Sequence, residues 1–371
     1  MIDHLTVSNY RSLGENVRIQ FGRLTVLVGP NGSGKSNVMD ALRFVADAMH
    51  VGLPGAIAMR PGIGGVRRWS GGQPFNVVLR VGLTLPSGRA EYGFELTKDY
   101  EVESEDAEVI RGNERLRFRI GGGKWQEGPE GLRPPLDKKN LALQLIGGDE
   151  RFEELVHALQ NIAVYAILPD TLRVPQRYSP SKPMSRHGEN WGSVLKDQRA
   201  ATWKPELIAA LHKLTGDTLD IEVAPAASYL VVQFQHESPS KTPQWFDATH
   251  ESDGTLRVAG IITALLQEPP VPVIGVEEPE LSVHPGAIPL LYDHLKQATQ
   301  RSQVIVTTHS PELLDLVGPD DVRVVMRAEG TTVVAPMRAS QREVVKSGLM
   351  TLGEVMRMEG LQQDLPSAAA E

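Results

Sequence analysis

A glycine-rich stretch, GPNGSGKS from Gly29 to Ser36, has the residue types and spacing of a loop that binds phosphate groups. Its glycines let the backbone turn several N–H groups towards one anion without interference from Cβ atoms. Lys35 supplies a positive charge for β- and γ-phosphates, and the Ser36 hydroxyl can be a ligand of Mg²⁺. The alternative is a glycine-rich turn capped by a serine. The residues predicted to surround the phosphates are Asn31, Gly32, Ser33, Gly34, Lys35, Ser36 and Asn37.

Two acidic residues, Glu277 and Glu278, directly follow the apolar run Val271–Val276. A carboxylate at the end of a buried strand can hold Mg²⁺ through water, and a second one can orient and polarise an attacking water. We therefore predict that Glu277 contributes to a metal site and that Glu278 acts on the water. An acidic pair at the start of a helix is the structural alternative.

A histidine, His309, ends another apolar run that begins at Val304. A helix is predicted between the two strands, over Ala287–Thr299, so the strand ends should lie side by side in a parallel sheet. His309 could then reach a γ-phosphate or the attacking water. A lone histidine at a strand end is usually structural, and its proximity to the acidic pair is the reason to predict a catalytic role.

A third motif, SDGTLR, starts at Ser252 and precedes an apolar helical run. The Ser252 hydroxyl, the backbone N–H groups near Gly254 and the helix dipole together form a potential anion site. The structural alternative is an ordinary helix N-cap.

The elements that must position these residues are also visible in the sequence. An apolar, β-prone run, Leu24–Val28, precedes the phosphate loop, and the helical run after it places apolar residues at intervals of three and four: Val38, Leu42, Val45 and Met49. Alternating apolar residues predict strands over Phe75–Leu85 and Ala90–Leu96, which should form a hairpin. A second hairpin, with one charged face, is predicted from Asp99 to Ile120. Helical spacing predicts one helix over Leu141–Leu159.

Composition excludes several classes of protein. The chain has 371 residues, of which 41% are apolar and 23% charged, which is ordinary for a globular protein. Its net charge of −8 argues against strong non-specific binding of nucleic acid, and the lack of cysteine excludes disulfides and thiolate metal sites. The N-terminal residues do not resemble a signal peptide, and the longest apolar run, Val258–Leu266, is too short for a bilayer. We therefore expect a cytoplasmic protein with no membrane partner.

The order of the motifs resembles that of the ABC-type P-loop ATPases. In this chain the phosphate loop is followed by a long insertion, then SDGT, then a strand with EEPE, then a strand with THS. The resemblance is greatest to the RecF/SMC-like branch and to the AAA-family ATPases grouped with it, which include the ATPase half of OLD-type nucleases. The segments Asn9–Ser12 and Leu352–Val355 are also similar to that group. No acidic cluster of the TOPRIM type follows His309, so we expect no OLD-type nuclease domain.

The resemblance implies an α/β fold, a P-loop NTPase of ABC-head type. Its mixed or parallel sheet would carry helices, an antiparallel β lobe and a mainly helical insertion. The expected parts are the N-terminal part of the head with loop and β lobe, the insertion with hairpin and helical lid, the C-terminal part of the head with the remaining motifs, and a tail: residues 1–96, 97–218, 219–357 and 358–371.

The resemblance also implies ATP and Mg²⁺ as cofactors and an ATP-dependent homodimer. In that family ATP lies between two heads, which would place Ser252 and Gly254 against the γ-phosphate bound by the other copy. Glu277 departs from the usual aspartate by one methylene. The glutamine that contacts the metal in the family has two candidates here, Gln176 and Gln73, and the sequence does not decide between them.

The sequence is compatible with several functions. The first is an ATPase whose ATP-bound dimer acts on double-stranded DNA or on a partner effector protein, in DNA repair or anti-phage defence. The second is a regulatory nucleotide-binding module that controls a separately encoded effector. A transporter ATPase is disfavoured because the chain lacks an LSGGQ signature at the expected place, and a nuclease because no further metal-binding constellation is visible.

Overall fold

The computed structural model describes residues 1–60, 65–68, 75–238 and 242–364. The chain forms two compact units. The first consists of Met1–Ile162, Pro319–Lys346 and Leu361–Glu371, and the second of Ala163–Gly318 and Ser347–Gly360. These bounds differ from those of the four predicted parts, because the predicted insertion contributes its hairpin to the first unit and most of its helices to the second.

The first unit is built mainly from strands. They are β1 (Ile2–Ser8), β2 (Val17–Gln20), β3 (Leu24–Val28), β4 (Val77–Leu85), β5 (Gly88–Leu96), β6 (Val102–Arg111), β7 (Glu114–Gly121), β8 (Lys124–Glu127), β16 (Val322–Ala328) and β17 (Thr331–Pro336). Seven of them form an antiparallel sheet in the order β2-β1-β4-β5-β6-β7-β8. In the same unit β3 pairs in parallel with β16, which pairs antiparallel with β17.

Both predicted hairpins are present in this sheet. Strands β4 and β5 pair from Val77 with Leu96 to Leu85 with Gly88. Strands β6 and β7 form the charged hairpin. On its surface the side chains of Arg115 and Glu108 form an ion pair at 2.6 Å. Alternate residues over most of β4 are buried, as expected for a sheet with one face on the core.

The helices of the first unit are α1 (Lys35–Ala58), α2 (Ala142–Ile146), α3 (Glu153–Gln160) and α10 (Ala339–Lys346). The apolar positions predicted to face the core from α1 are all buried, and Gly52 interrupts this helix with a φ of 78°. The single helix predicted over Leu141–Leu159 is wrong. It is divided into α2 and α3, because Gly147 and Gly148 lie between them and favour a break.

The second unit combines a parallel pair of strands with helices and with an antiparallel sheet. Its strands are β9 (Ile162–Tyr165), β10 (Gln176–Arg177), β11 (Thr218–Ala226), β12 (Tyr229–His236), β13 (Gln244–Asp247), β14 (Val273–Glu277) and β15 (Gln303–Thr308). Its helices are α4 (Pro169–Arg173), α5 (Trp191–Asp197), α6 (Ala200–Thr215), α7 (Asp253–Leu266), α8 (Ile288–Ala298), α9 (Pro311–Leu314) and α11 (Leu352–Glu359). Strands β10, β11, β12 and β13 form the antiparallel sheet. Strands β14 and β15 are parallel and in direct register, with α8 between them in the chain. This confirms the predicted strand–helix–strand unit.

Candidate functional site

The phosphate loop lies in the first unit, between the fully buried β3 and the first turn of α1. Lys35 is buried, and its ammonium group donates to the carbonyl oxygens of Gly29 at 2.7 Å and Pro30 at 3.1 Å. The charge of Lys35 is therefore held inside the curve of the loop. Backbone N–H groups and a helix N-terminus around one ammonium make a site that suits a polyphosphate.

The loop glycines are required by their surroundings. Gly32 and Gly34 have φ angles of 75° and 107°, which L side chains rarely adopt. A Cβ atom at Gly34 would overlap the side chain of Thr332, and one at Gly29 would overlap the carbonyl oxygen of Val325. The sequence pattern therefore reflects close packing of the loop against β16 and β17 as well as its curvature.

A small polar network supports the loop from behind. The Thr332 hydroxyl donates to the carbonyl oxygen of Ser33 at 2.7 Å and lies 2.6 Å from the Ser12 hydroxyl. The Asn37 amide donates to Ser12 at 2.6 Å, so the first turn of α1 joins the same network. Sequence reasoning missed Thr332, because a residue 299 positions from its partner carries no local signal.

The residues just upstream of the loop have a structural role in this unit. Tyr10 is buried, and its hydroxyl donates to Asp40 at 2.5 Å. Arg60 also donates to Asp40, at 3.1 Å, and Arg11 forms an ion pair with it at 3.0 Å. Burial favours the neutral form of Asp40, but the charge of Arg60 and the Tyr10 hydrogen bond still lower the pKa of this carboxyl. The cluster fixes α1 and leaves Arg11 partly exposed beside Asn37.

The remaining loop residues suit a Mg²⁺–nucleotide complex. Asn31, Gly32 and Ser36 are not buried, which leaves the Ser36 hydroxyl accessible at the start of α1. The Ser33 hydroxyl is buried and makes no hydrogen bond within the described part of the chain, so it is a polar group available to a ligand. Oxygen donors such as the Ser36 hydroxyl and the Glu277 carboxylate are the ligands that Mg²⁺ prefers, and each fits this role by its chemistry.

The predicted acidic pair lies in the second unit at the carboxyl end of β14. Glu277 is the last residue of the strand and is in register with Thr307 of β15. Glu278 has a φ of 44°, and its N–H donates to the Thr307 carbonyl oxygen at 3.0 Å. A glutamate in the left-handed region is strained by an amount on the order of 1–3 kcal/mol, and such strain concentrates at functional sites.

His309 follows β15 and lies beside Glu278, as the parallel strand order predicted. Its Nδ1 atom is 3.4 Å from Oε1 of Glu278, and the two side chains are 40% and 31% exposed. An accessible carboxylate next to an imidazole can bind a water beside the pair. This arrangement can accept a proton from that water and present an imidazole to an anion.

Glu280 is a residue of this site that sequence reasoning missed. It is buried, and its Oε1 atom accepts from the Thr308 hydroxyl at 2.6 Å and from the His309 N–H at 3.3 Å. Glu280 therefore fixes the turn that carries His309. The signal was present as the last acid of the EEPE motif, which is unusual in a buried segment.

Several buried polar atoms of the residues that contact or face the acidic pair make no hydrogen bond in the described structure. Arg257 of α7 is buried, and burial lowers its pKa although Glu278 and Glu280 oppose the shift. Native interiors leave few such atoms unsatisfied, so a group of them favours a site that receives a polar ligand. In the described part of the second unit they include Nε of Arg186, Nε of Arg257, Oε2 of Glu280 and Nδ1 of His309.

Ser252 and Gly254 lie at the start of α7. The Ser252 hydroxyl accepts from the Thr255 N–H at 3.1 Å, so it is the N-cap of the helix. A Cβ atom at Gly254 would lie 2.7 Å from the carbonyl oxygen of Ser282, which requires glycine there. The geometry is that of an ordinary N-cap. The predicted role against the nucleotide of a second copy stays a prediction.

Of the two candidates for the metal-contacting glutamine, Gln176 and Gln73, the structure describes only Gln176. Gln176 is buried and donates to the carbonyl oxygens of Thr171 and Gly188, while it accepts from the Gly192 N–H. Its amide is fully used in holding the chain around α5. Gln73 lies outside the described residues.

Comparisons with known proteins agree with this fold. Residues 1–51 match the "RecF/RecN/SMC N terminal domain" model, and residues 188–315 match the model described as "AAA domain, putative AbiEii toxin, Type IV TA system". A crystal structure of an SMC head bound to the C-winged helix domain of ScpA has a TM-score of 0.59 at 15% identity, over 92% of this chain and 99% of that one. An SMC head from Pyrococcus furiosus gives 0.54 at 14% identity, over 94% and 99%.

The two family models, together with the fold shared with SMC heads, support an ABC/SMC-like P-loop ATPase. The matched families support nucleotide binding and hydrolysis in general. Sequence similarity to curated proteins is confined to short segments, which make up only a small part of the length of those relatives. The chromosome partition protein Smc of Desulfitobacterium hafniense is 50% identical over 42 residues, which are 11% of this chain and 4% of the relative. Human structural maintenance of chromosomes protein 1B is 56% identical over 45 residues, or 12% and 4%.

None of the helices within the described ranges combines the length and the hydropathy that crossing a bilayer requires.

Proposed function

We propose that this ATPase hydrolyses ATP with Mg²⁺ and that ATP binding closes a head-to-head dimer of two copies. Lys35 binds the β- and γ-phosphates, and Ser36 and Glu277 contribute to the metal site. Glu278 activates the water, and His309 contacts the water or the γ-phosphate. Ser252 and Gly254 act on the nucleotide held by the other copy.

One observation carries most of the proposal. Glu278 is held in a strained conformation at the end of a buried strand, with its carboxylate 3.4 Å from His309. A buried strand that ends in an accessible carboxylate and an imidazole is arranged for proton transfer with water. The family match adds the expectation that the nucleotide is ATP, because SMC heads share this fold.

The experiment that tests the dimer is a substitution of the water-activating residue. Glu278→Gln keeps the shape of the side chain but removes the base, so the variant should bind ATP, hydrolyse it slowly and accumulate as a dimer. Light scattering with and without Mg²⁺ and ATP measures this. Glu222→Gln, at an exposed position of β11, is the control and should behave as the wild type. A Glu278→Gln variant that stays monomeric with ATP would contradict the dimer.

The client of the dimer is double-stranded DNA or a partner effector protein, in DNA repair or anti-phage defence. The net charge of −8 and the pairing of the sheet arginines favour the second candidate, a regulatory module that controls a protein effector. Arg80 pairs with Asp106 at 2.7 Å, and Arg117 with Glu127 at 3.4 Å, so these cations are neutralised within the sheet. The SMC head of similar fold that is bound to a domain of ScpA is a case in which a head binds a protein.

A direct comparison separates the two clients. Binding of double-stranded DNA that weakens steeply with salt would favour the DNA-acting dimer, because phosphate contacts release counterions. A stoichiometric protein partner, together with no salt-sensitive binding of DNA, would favour the regulatory module.

A further inference from the structure

We infer that Arg186 competes with the nucleotide's Mg²⁺ for the carboxylate of Glu277, and so couples nucleotide binding to the loop from Ser181 to Asn190. This inference rests on the proposed function, because it assumes that Glu277 serves the metal of a bound nucleotide. It assigns a task to part of the long insertion, for which the sequence offered none.

The contact between the two residues is close. Nη2 of Arg186 donates to Oε1 of Glu277 at 2.6 Å. The Glu277 side chain is only 10% exposed and that of Arg186 is 30% exposed, so the pair is partly shielded from water. A charge-assisted hydrogen bond in such surroundings is stronger than a surface ion pair.

Hydrogen bonds hold the backbone of the loop from Ser181 to Asn190 around Arg186. The Arg186 carbonyl oxygen accepts from the Ala166 N–H at 2.9 Å, directly after β9. The Asn190 side chain accepts from the Ser185 N–H at 2.7 Å and donates to the Ser181 carbonyl oxygen at 2.9 Å. The backbone of Arg186 is therefore held against the residue after β9, and Asn190 holds the turn on either side of it.

The same carboxylate cannot serve both cations fully. An oxygen that accepts from a guanidinium at 2.6 Å has part of its negative charge neutralised, which weakens it as a ligand of a divalent cation. Two positive charges at one carboxylate also repel each other. Glu277 is one methylene longer than an aspartate and so reaches further towards Arg186. The Nε atom of Arg186 is buried and makes no hydrogen bond in the described structure. One donor of this guanidinium therefore remains available to another acceptor.

The insertion also contacts the start of α7. Arg173 of α4 donates to Asp253 at 2.5 Å and to the Glu251 carbonyl oxygen at 3.2 Å, on either side of Ser252. Arg173 and Arg186 come from one stretch of chain. Through them this stretch contacts both Glu277 and the SDGT motif.

The test measures how much Mg²⁺ the protein needs to bind ATP. A fluorescent ATP analogue is titrated at fixed concentration with MgCl₂ in the wild type, Arg186→Gln and the control Arg177→Gln, whose arginine is exposed on β10. Removal of the competitor should lower the Mg²⁺ concentration at half-saturation about twofold to fivefold in Arg186→Gln, the range that ion pairs of modest strength give. Arg177→Gln should match the wild type, and Arg186→Lys should move the midpoint back towards it.

Hydrogen exchange gives a second readout that does not depend on turnover. In the wild type, amides between Ser181 and Asn190 should exchange faster when Mg²⁺ and ATP are bound, because Arg186 has left Glu277. A variant Arg186→Gln with an unchanged or higher Mg²⁺ midpoint would overturn the inference while ATP binding by the wild type still supports the proposed function. If the wild type binds no ATP, as expected for Lys35→Ala, both the inference and the proposed function would be overturned.

Discussion

The conformation of individual loop residues explains why the phosphate loop has its sequence. Gly32 and Gly34 both have positive φ angles, but only Gly34 also lies against another side chain, that of Thr332. The pattern of the loop was readable from the sequence, because local backbone geometry dictates it. The contact with Thr332 was not, because it depends on a strand that is distant in the chain.

This difference predicts unequal effects of two similar substitutions. Gly32→Ala meets open space and should cost only the strain of a positive φ, about 1 kcal/mol of folding free energy. Gly34→Ala adds an overlap with Thr332, so it should cost clearly more and weaken ATP binding by about tenfold or more. Chemical denaturation and a fluorescent ATP titration measure both. Equal losses in the two variants would contradict the role of Thr332 packing.

At the scale of secondary-structure elements, a buried carboxylate joins α2 to the antiparallel sheet. Glu105 of β6 is buried and accepts from the N–H groups of Ala142 at 2.6 Å and Leu143 at 2.9 Å. The Tyr92 hydroxyl donates to it at 3.0 Å. Burial raises the pKa of Glu105 to about 7 although these hydrogen bonds oppose the shift.

The raised pKa predicts a pH dependence of stability. The folded protein holds the Glu105 proton up to about pH 7, whereas the unfolded chain releases it near its ordinary pKa of 4.5. The contribution of Glu105 is therefore fully present below pH 4.5 and is lost as the pH rises towards 7, by roughly 3 kcal/mol. Urea denaturation across this range should show a flatter profile for Glu105→Gln than for the wild type. An unchanged slope in the variant would contradict the assignment.

Elements were predictable where they depend on local pattern and less so where they depend on distant contacts. The strand, loop and helix around Gly29–Ser36 and the parallel strands that carry Glu277 and His309 agree with the prediction. The break between α2 and α3 was missed, because apolar spacing continues across Gly147 and Gly148. Within the site, the acidic pair was predictable, but the ion pair of Glu277 with Arg186 joins residues 91 positions apart.

At the scale of the whole chain, the residues proposed to act on ATP come from opposite ends of the sequence. The phosphate loop belongs to the first unit, and Glu277, Glu278 and His309 belong to the second. The insertion between them contributes strands to one unit and Arg173 and Arg186 to the other. Substitutions in either unit should therefore affect the same reaction.

The measurement that tests this expectation most directly is phosphate release from ATP in the presence of Mg²⁺. The wild type should turn over, Lys35→Ala should neither bind nor hydrolyse ATP, and Glu278→Gln should bind ATP but hydrolyse it at least about a hundredfold more slowly. The control Glu222→Gln should keep the wild-type rate. A Glu278→Gln variant that releases phosphate at the wild-type rate, or a wild type that binds ATP without turnover, would contradict the account.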